Sequence, residues 1–387
     1  MENLLYFIPL FTCIFCFFLF RKKFAAWEYA VIIFGTCGIT LVTMLIMKSN
    51  NCSDVEYRGD YVTRIEHYEP WNEWVHRTCT RTIKVGKTTT TQHYDCSYCR
   101  HHPEEWLMVT FLKKKYNISK DDYLRVSKLW GSKEIFVNMN RDFHTLDGDM
   151  YFTKWDNNEN TIIPITTEKG YSNKVIGSKS VFNFEYISKK EADSLKLYDY
   201  PEITNHNYPF PQRTKTFQNA VIGYNNKEFS KKINYINAIH GPKNHIRTYI
   251  LFFNNRDRDI AHKQISYWDG GNFNEHIICL GLNTTNNIIE WVETYSWEDT
   301  PYLAVETKQW FTVNNHIDSL NRFPIWYNNV LNSRTKWACK NAEDFDYLKT
   351  DLTNGQLIAL LIISIIVAIG ISVYGYFNQF DAEIEHY

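Results

Sequence analysis

The stretch Tyr267-Trp268-Asp269-Gly270-Gly271-Asn272-Phe273-Asn274-Glu275-His276 holds the densest cluster of functional residue types in the 387-residue chain. Two adjacent glycines let backbone N–H groups approach a ligand. Asp269, Asn272, Asn274 and Glu275 carry the oxygen donors that a hard cation or a polar substrate takes. As chemistry, Gly270 to His276 is the loop of a membrane-anchored, hydrolase-like enzyme working with a bound cation. As architecture, the same residues make a tight helix-to-strand connection in which Asn272 and Asn274 satisfy nearby backbone groups, the commoner use of such a loop. No G-x-S-x-G elbow, phosphate-binding G-x-x-x-x-G-K-[ST] loop or H-E-x-x-H helix accompanies it, so the catalytic residues and any cofactor stay unassigned.

The second concentration of chemistry is sulfur. Cys13, Cys16 and Cys37 fall in apolar runs, where cysteine acts as a small apolar residue. Cys52, Cys79, Cys96, Cys99, Cys279 and Cys339 lie in the polar middle. His76 to Cys96 is threonine-rich and alternating, and it reads as a β-hairpin turning at Gly86-Lys87-Thr88-Thr89. With Val85 opposite Thr90, Cys79 faces Cys96 and a bridge is expected there. Further pairs are open among Cys52, Cys99, Cys279 and Cys339, because six cysteines allow 15 connectivities. The rival reading is a zinc site of Cys79, Cys96, Cys99 and His101, which a reducing compartment would favour; an oxidising one favours disulfides.

Positioning these residues requires a folded α+β domain. Asp54 to Tyr98 is β-rich. Ser119 and Asp122 open a helix whose apolar face is Tyr123, Val126 and Leu129, and strand-like runs follow at Glu134–Val137, Met150–Trp155 and Ile162–Ile165. Asp147, Asp149, Asp156 and Glu159 mark turns between them, without calcium-loop spacing. Further on, Lys227–Ile239 is helical and expected to stop at Gly241-Pro242. Ile246–Phe253 is an apolar strand, Arg258–Tyr267 is helical, His276–Leu282 and Ile288–Tyr295 form a hairpin, and helices occupy much of Thr300–Val330. The division expected is a β-rich module over 49–215 and a mixed α/β module over 216–354.

Three apolar runs flank this domain, with spans of about 3–20 and 24–47 forming a hairpin over 1–48, and a third helix over 355–377. Arg21, Lys22 and Lys23 make the short loop between the first two spans basic, which places that loop in the cytoplasm. Residues 49–354 then lie outside the cytoplasm, and the tail 378–387 lies inside it. Glu28 beside Trp27 reads as a snorkelling interfacial residue. Gly35/Gly38 and Gly370/Gly375 lack the four-residue spacing of a close-packing motif. Asn51, Asn117 and Asn283 begin glycosylation sequons that count only on a eukaryotic secretory route.

The chain has 42 Lys+Arg against 43 Asp+Glu, a net charge of −1, and 16% aromatic residues. That balance points away from nucleic acid and away from disorder. Asp60-Tyr61-Val62-Thr63, Trp71 to Cys79, Tyr94-Asp95-Cys96-Ser97-Tyr98, Tyr171 to Val175, Ser180-Val181-Phe182, Tyr198-Asp199-Tyr200-Pro201, Gly270 to Glu275 and Asp344 to Leu348 together resemble a group of integral membrane proteins of phages and environmental viral sequences. Cys99 and Phe273 depart from that pattern. The resemblance implies a viral or virus-associated membrane protein and no particular activity. With the aromatic content and the lack of a catalytic signature, the expected partners are the lipid bilayer and a protein or surface bound by the outer domain.

Overall fold

A computed structural model describes residues 26–86, 88–130, 133–139, 148–178, 187–205, 215–333 and 337–378, together with Phe7, Leu10, Phe11 and Ile14. The Arg21-Lys22-Lys23 triplet, Asp147, nearly all of the first apolar run and the tail beyond Asn378 lie outside the described residues. The first elements with described bounds are helix α1 (Ala26–Asn51) and the long strand β1 (Ser53–Tyr68). Next come β2 (Trp71–Val75), β3 (Thr78–Val85), β4 (Thr88–Asp95), β5 (Tyr98–His102), β6 (Glu105–Thr110), β7 (Lys115–Asn117) and α2 (Lys120–Trp130). The middle of the chain adds β8 (Ile135–Val137), β9 (Met150–Lys154), β10 (Pro164–Ser172), α3 (Lys174–Gly177), α4 (Lys189–Leu195), β11 (Thr204–Asn205) and β12 (Lys215–Phe217). The last part contains β13 (Val221–Ile222), α5 (Lys227–Asn244), β14 (Arg247–Asn254), α6 (Asp259–Tyr267), β15 (Glu275–Asn283), β16 (Ile288–Ser296), α7 (Tyr302–Val313), α8 (Phe323–Ser333) and α9 (Asn354–Asn378).

Contacts divide the chain into two units. One comprises 1–55, 170–185 and 341–387; the other comprises 56–169 and 186–340 and unites the β-rich and mixed segments. In the first unit, α1 and α9 pack together and supply two helices long and apolar enough to cross a membrane, over Trp27–Asn51 and Asn354–Gly375. Their outer faces expose Phe34, Val42, Ile366 and Phe377. The shared face is small and polar at four-residue spacing. Thr36 and Thr40 of α1 and Ser364, Ala368 and Ser372 of α9 are all buried, and the Thr40 and Ser364 hydroxyls are 2.8 Å apart. Thr, Ser and Ala are small enough to let the helices approach, and Gly35 also faces α9, where a Cβ would lie 3.1 Å from Ile371. Glu28 is buried rather than turned outward.

Two sheets build the second unit. In the first, the order is β7-β6-β1-β9-β8, with β10 also paired to β1. One face buries Val62, Ile65, Met108, Ile163 and Ile165 beneath Tyr123 and Val126 of α2. That helix starts where expected: Ser119 Oγ accepts from the Asp122 N–H at 3.1 Å.

The other sheet runs β13-β14-β15-β16, parallel through β15 and antiparallel at β16. Ile250, Phe252, Ile278 and Leu280 point to one face, against Phe229, Ile233 and Ile236 of α5 and Phe311 and Phe323 of the later helices. Tyr249, Leu251, Phe253, Ile277 and Cys279 point to the other, against Ile260, Ala261 and Ile265 of α6. Both central strands are therefore buried on two sides, which is why they read as unbroken apolar runs. Strand order advances in one direction while α5 and α6 lie on opposite faces, so the two crossovers have opposite hands and one departs from the usual right-handed rule.

Helix α5 does not stop at Gly241-Pro242. It continues to Asn244 and closes at His245, whose φ is 54°. The continuation depends on packing: a Cβ on Gly59 would lie 2.0 Å from the Asn237 carbonyl oxygen, and one on Gly241 would lie 2.6 Å from the Gly59 Cα. Backbone meets backbone there, and the contact holds the last turn of α5 against β1 despite the N–H that proline lacks.

Candidate functional site

Strands β1 and β6 continue outward into β2–β5 as one antiparallel ladder. Ile65 pairs with Met108, Tyr68 with Glu105, Trp71 with His102, Val75 with Tyr98, Thr78 with Asp95 and Val85 with Thr88. No step in register interrupts this series, so Trp71 to His102 forms a two-stranded ribbon. At about 3.3 Å per residue its length is roughly 50 Å. Among its described residues none is buried, and no other described element packs extensively against it.

The turn is shorter than the sequence suggested. Gly86, with φ 65°, begins a two-residue connection, and the register is Val85 with Thr88 rather than with Thr90. Two-residue turns match the twist of paired strands, and glycine supplies the positive φ they require. Cys79 consequently faces Tyr94, and Cys96 lies diagonally across, its N–H donating to the Arg77 carbonyl at 2.9 Å. A shift of two residues keeps side chains on the same face. Cys79 and Cys96 are bonded as a disulfide, with their Cα atoms 5.8 Å apart.

Cys52, Cys99, Cys279 and Cys339 are free thiols, which corrects the further pairs left open by the sequence. Cys52 is buried with its sulfur 3.0 Å from the Thr350 hydroxyl, and Cys279 is enclosed in the mixed sheet. Cys99 is exposed, and His101 is engaged with Asn72 at 2.8 Å. With Cys79 and Cys96 bonded to each other, the four donors of the zinc alternative are not assembled. Among the described residues no three His, Cys, Asp or Glu side chains gather as a metal site.

The ribbon displays aromatic and basic side chains. Trp74, Tyr94 and Tyr98 are more than 40% exposed, and the Arg81 and Arg100 guanidinium groups stand 5.8 Å from the Tyr94 and Tyr98 ring centres. From Arg77 to Asp95 the charged residues are Arg77, Arg81, Lys84 and Lys87 against Asp95 alone.

The glycine loop has a different character. Asp269, Gly270 and Gly271 all take positive φ, and the Gly270 and Gly271 N–H groups donate back to the carbonyls of Ile265 in α6 and of Trp268, which caps it, each at 2.9 Å. Their flexibility terminates a helix. A Cβ on Gly271 would reach within 2.8 Å of Ile277 and 3.0 Å of the Glu275 carboxylate, so the space above it is filled.

Glu275 is buried and accepts from the Asn272 N–H at 2.9 Å, from Asn272 Nδ2 at 3.1 Å and from the Tyr200 hydroxyl. Burial lifts its carboxyl above the usual carboxylate range against those bonds and against the charge of Arg247. Arg247 lies opposite Glu275 in the β14–β15 register and donates to Tyr249 at 3.0 Å, Thr166 at 3.1 Å and the Gln218 carbonyl at 3.0 Å. Tyr200 and Tyr249, 3.3 Å apart, relay between the two charges. Asn274 donates to the Tyr57 carbonyl at 2.9 Å. The loop thus joins Asn272 to Glu275 and turns Asn274 onto the Tyr57 carbonyl, at the N-terminal ends of parallel strands. Ligands of such sheets bind outside the carboxyl ends.

At a carboxyl end lies a cleft of about 480 Å³, between β13 and the start of α5, lined by Trp130, Ile162, Phe217, Tyr224, Asn225 and Lys227. The sequons are scattered: Asn117 is exposed, Asn51 Nδ2 is bound to Gln356 at 2.8 Å, and Asn283 Nδ2 is bound to Glu290 at 2.7 Å.

Compared with family models, curated proteins and solved structures, the chain matches none. What the sequence missed at this site is the length of the ribbon. The structure reveals it in a constant register, whose pairing partners from Ile65/Met108 to Val85/Thr88 mirror each other about the Gly86 turn.

Proposed function

We propose that this is a viral or virus-associated integral membrane protein that presents a disulfide-stapled β-ribbon to an acidic protein surface outside the cytoplasm. The observation that carries the reading is the ribbon itself. A two-stranded sheet gains little from its own pairing and is marginal in water unless something else holds it. Here a covalent bridge serves that purpose, and the residues it displays are the aromatic and arginine types that anchor interfaces. The uneven charge between Arg77 and Asp95 suits an acidic partner, and the open strand edges suit added main-chain pairing. The helices α1 and α9 supply the anchor. The outward placement of 49–354 rests on the Arg21-Lys22-Lys23 triplet, and the viral origin rests on the resemblance to phage membrane proteins.

The test is site-specific photo-crosslinking of the full chain in the producing cells, with the reactive group at position 94 on the ribbon or at position 263 on α6. A single acidic protein crosslinked from position 94, lost in the Arg81→Glu/Lys84→Glu double variant, supports the reading. Equal crosslinking from both positions, or none from position 94, rejects it.

A further inference from the structure

A free thiol that neither the ribbon nor the glycine loop uses lies beside an imidazole. Cys339 Sγ is 3.6 Å from His245 Nδ1, and His245 Nε2 is 2.5 Å from Glu56 Oε1. Glu56 is held in turn by Arg58, whose Nε and Nη2 donate to the same carboxylate oxygen at 3.2 and 3.0 Å. Nucleophile, base and orienting carboxylate are therefore in line, the arrangement that activates a nucleophile in covalent catalysis. We infer that Cys339, His245 and Glu56 form a thiol acyl-transfer centre acting on an ester or thioester carbonyl.

The orientation of the ring follows from the chemistry of its partners. An ionised carboxylate only accepts, so Nε2 carries the proton toward Glu56 and Nδ1 is left as the acceptor facing the thiol. Burial works against the Glu56 charge, but the hydrogen bond from His245, with the charge and hydrogen bonds of Arg58, holds the carboxyl below its usual range. Burial, then the nearby Glu56 and Asp299 charges, push the Cys339 thiol up to about 11. The sulfur is thus protonated at rest and loses its proton to the imidazole only as it attacks, which is the general-base form of thiol activation.

The fold assembles the three residues from distant segments. Glu56 and Arg58 lie on β1 just before Gly59, and His245 closes α5 just after Gly241, so the Gly59–Gly241 contact brings carboxylate and ring together. The His245 N–H donates to the Gly241 carbonyl at 3.1 Å, and its own carbonyl accepts from Trp337 Nε1 at 3.3 Å. Cys339 is fixed by main-chain pairing beyond β16: Lys340 N–H donates to Trp297 at 2.8 Å, and Asp299 N–H donates to Ala338 at 2.9 Å.

In the reaction, the thiol proton passes to Nδ1 as sulfur attacks the carbonyl carbon. The bond from that carbon to the leaving oxygen or sulfur breaks, and the leaving atom takes the proton. Cys339 is left as an S-acyl thioester. Water then adds to the thioester carbonyl, giving a proton to Nδ1; the carbon–sulfur bond breaks, the proton returns to sulfur, and a carboxylic acid departs.

The test uses the full chain in detergent with p-nitrophenyl acetate as the acyl donor. Expected are a burst of about one equivalent of p-nitrophenolate and an acetyl group on the Cys339 peptide, formed at least tenfold faster than on exposed Cys99 in the same molecule. Cys339→Ser should remove the acetyl-thioester. His245→Gln should slow acylation at least about 100-fold, in line with general-base contributions. Glu56→Gln, which alters only the orienting group, should slow it about tenfold while leaving acylation of Cys99 unchanged. Acylation of Cys339 no faster than Cys99 in the unaltered chain overturns the proposal. So does a His245→Gln protein that keeps its Cys79–Cys96 bridge and acylates Cys339 at the original rate.

Discussion

The ribbon and the mixed sheet are both built of paired strands, and they are held by opposite means. In the mixed sheet, eight consecutive residues from Glu275 to Leu282 are buried, and helices cover both faces. In the ribbon none of the described residues is buried, and the disulfide closes a loop with a sequence separation of 17. Burial stabilises by removing apolar area from water, while a cross-link stabilises by limiting the unfolded chain. The difference teaches where change is tolerated. A surface held by a covalent staple leaves its side chains free to be chosen for recognition, whereas every side chain in a two-faced sheet is committed to packing.

The comparison can be broken most forcefully in the sheet. Phe252 is fully buried, with Tyr224 stacked on it at 4.6 Å, so Phe252→Ala should cost about 3 to 5 kcal/mol in denaturant unfolding of the detergent-solubilised protein. A cost near that of a surface substitution would mean that the two-faced core does not hold the sheet.

Acid should distinguish the regions next. Burial drives the pKa of His276 down from 6.5 to about 3, while its Nδ1 lies 2.7 Å from the Tyr327 hydroxyl. Because the folded pKa is below the unfolded one, the unfolded state binds the proton first. Stability contributed by neutral His276 is complete above pH ~6.5 and is lost as pH falls toward ~3, by up to about 4 to 5 kcal/mol. Unfolding midpoints measured across that range should show the loss, and His276→Gln should flatten it.

A smaller and local effect is expected from the staple. Cys79→Ser/Cys96→Ser should lower protection of the ribbon by about 3 kcal/mol in amide hydrogen exchange, while the mixed sheet exchanges as before. Slower exchange in the ribbon, or a matching loss in β14 and β15, would contradict the independence of the two regions. The smallest change concerns Arg81, which is exposed and donates to Gln92 at 2.9 and 2.8 Å. Arg81→Ala should shift global stability by less than about 0.5 kcal/mol, yet reduce crosslinking from the ribbon.

Much was legible in the chain before folding. Ser119 and Asp122 announced α2, the apolar runs announced β14 and β15, and the alternation around Cys79 and Cys96 announced a bridged hairpin. The errors share a cause. Gly241-Pro242 is a stop signal by local propensity, and a backbone contact with Gly59 overrode it. The Gly86 turn was assigned four residues where two suffice, because sequence gives alternation but not register. Asp269 to Glu275 carried the composition of a ligand loop, and only the fold set Tyr200 and Arg247 beside Glu275.

By itself, the sequence determined what depends on near neighbours: two described helices able to span a membrane, the periodicity of each strand and helix, and a disulfide between residues 17 apart. The tertiary structure alone decided that one register carries on from the β1–β6 pair into an uncovered ribbon. It alone decided that Thr36, Thr40, Ser364, Ala368 and Ser372 are buried where the paired helices meet. It also brought residues separated by 189 and 94 positions together at Glu56, His245 and Cys339. The physical reason is distance along the chain. Hydrophobic period and turn chemistry act within a few residues, but which faces meet is settled only when whole elements exclude water together.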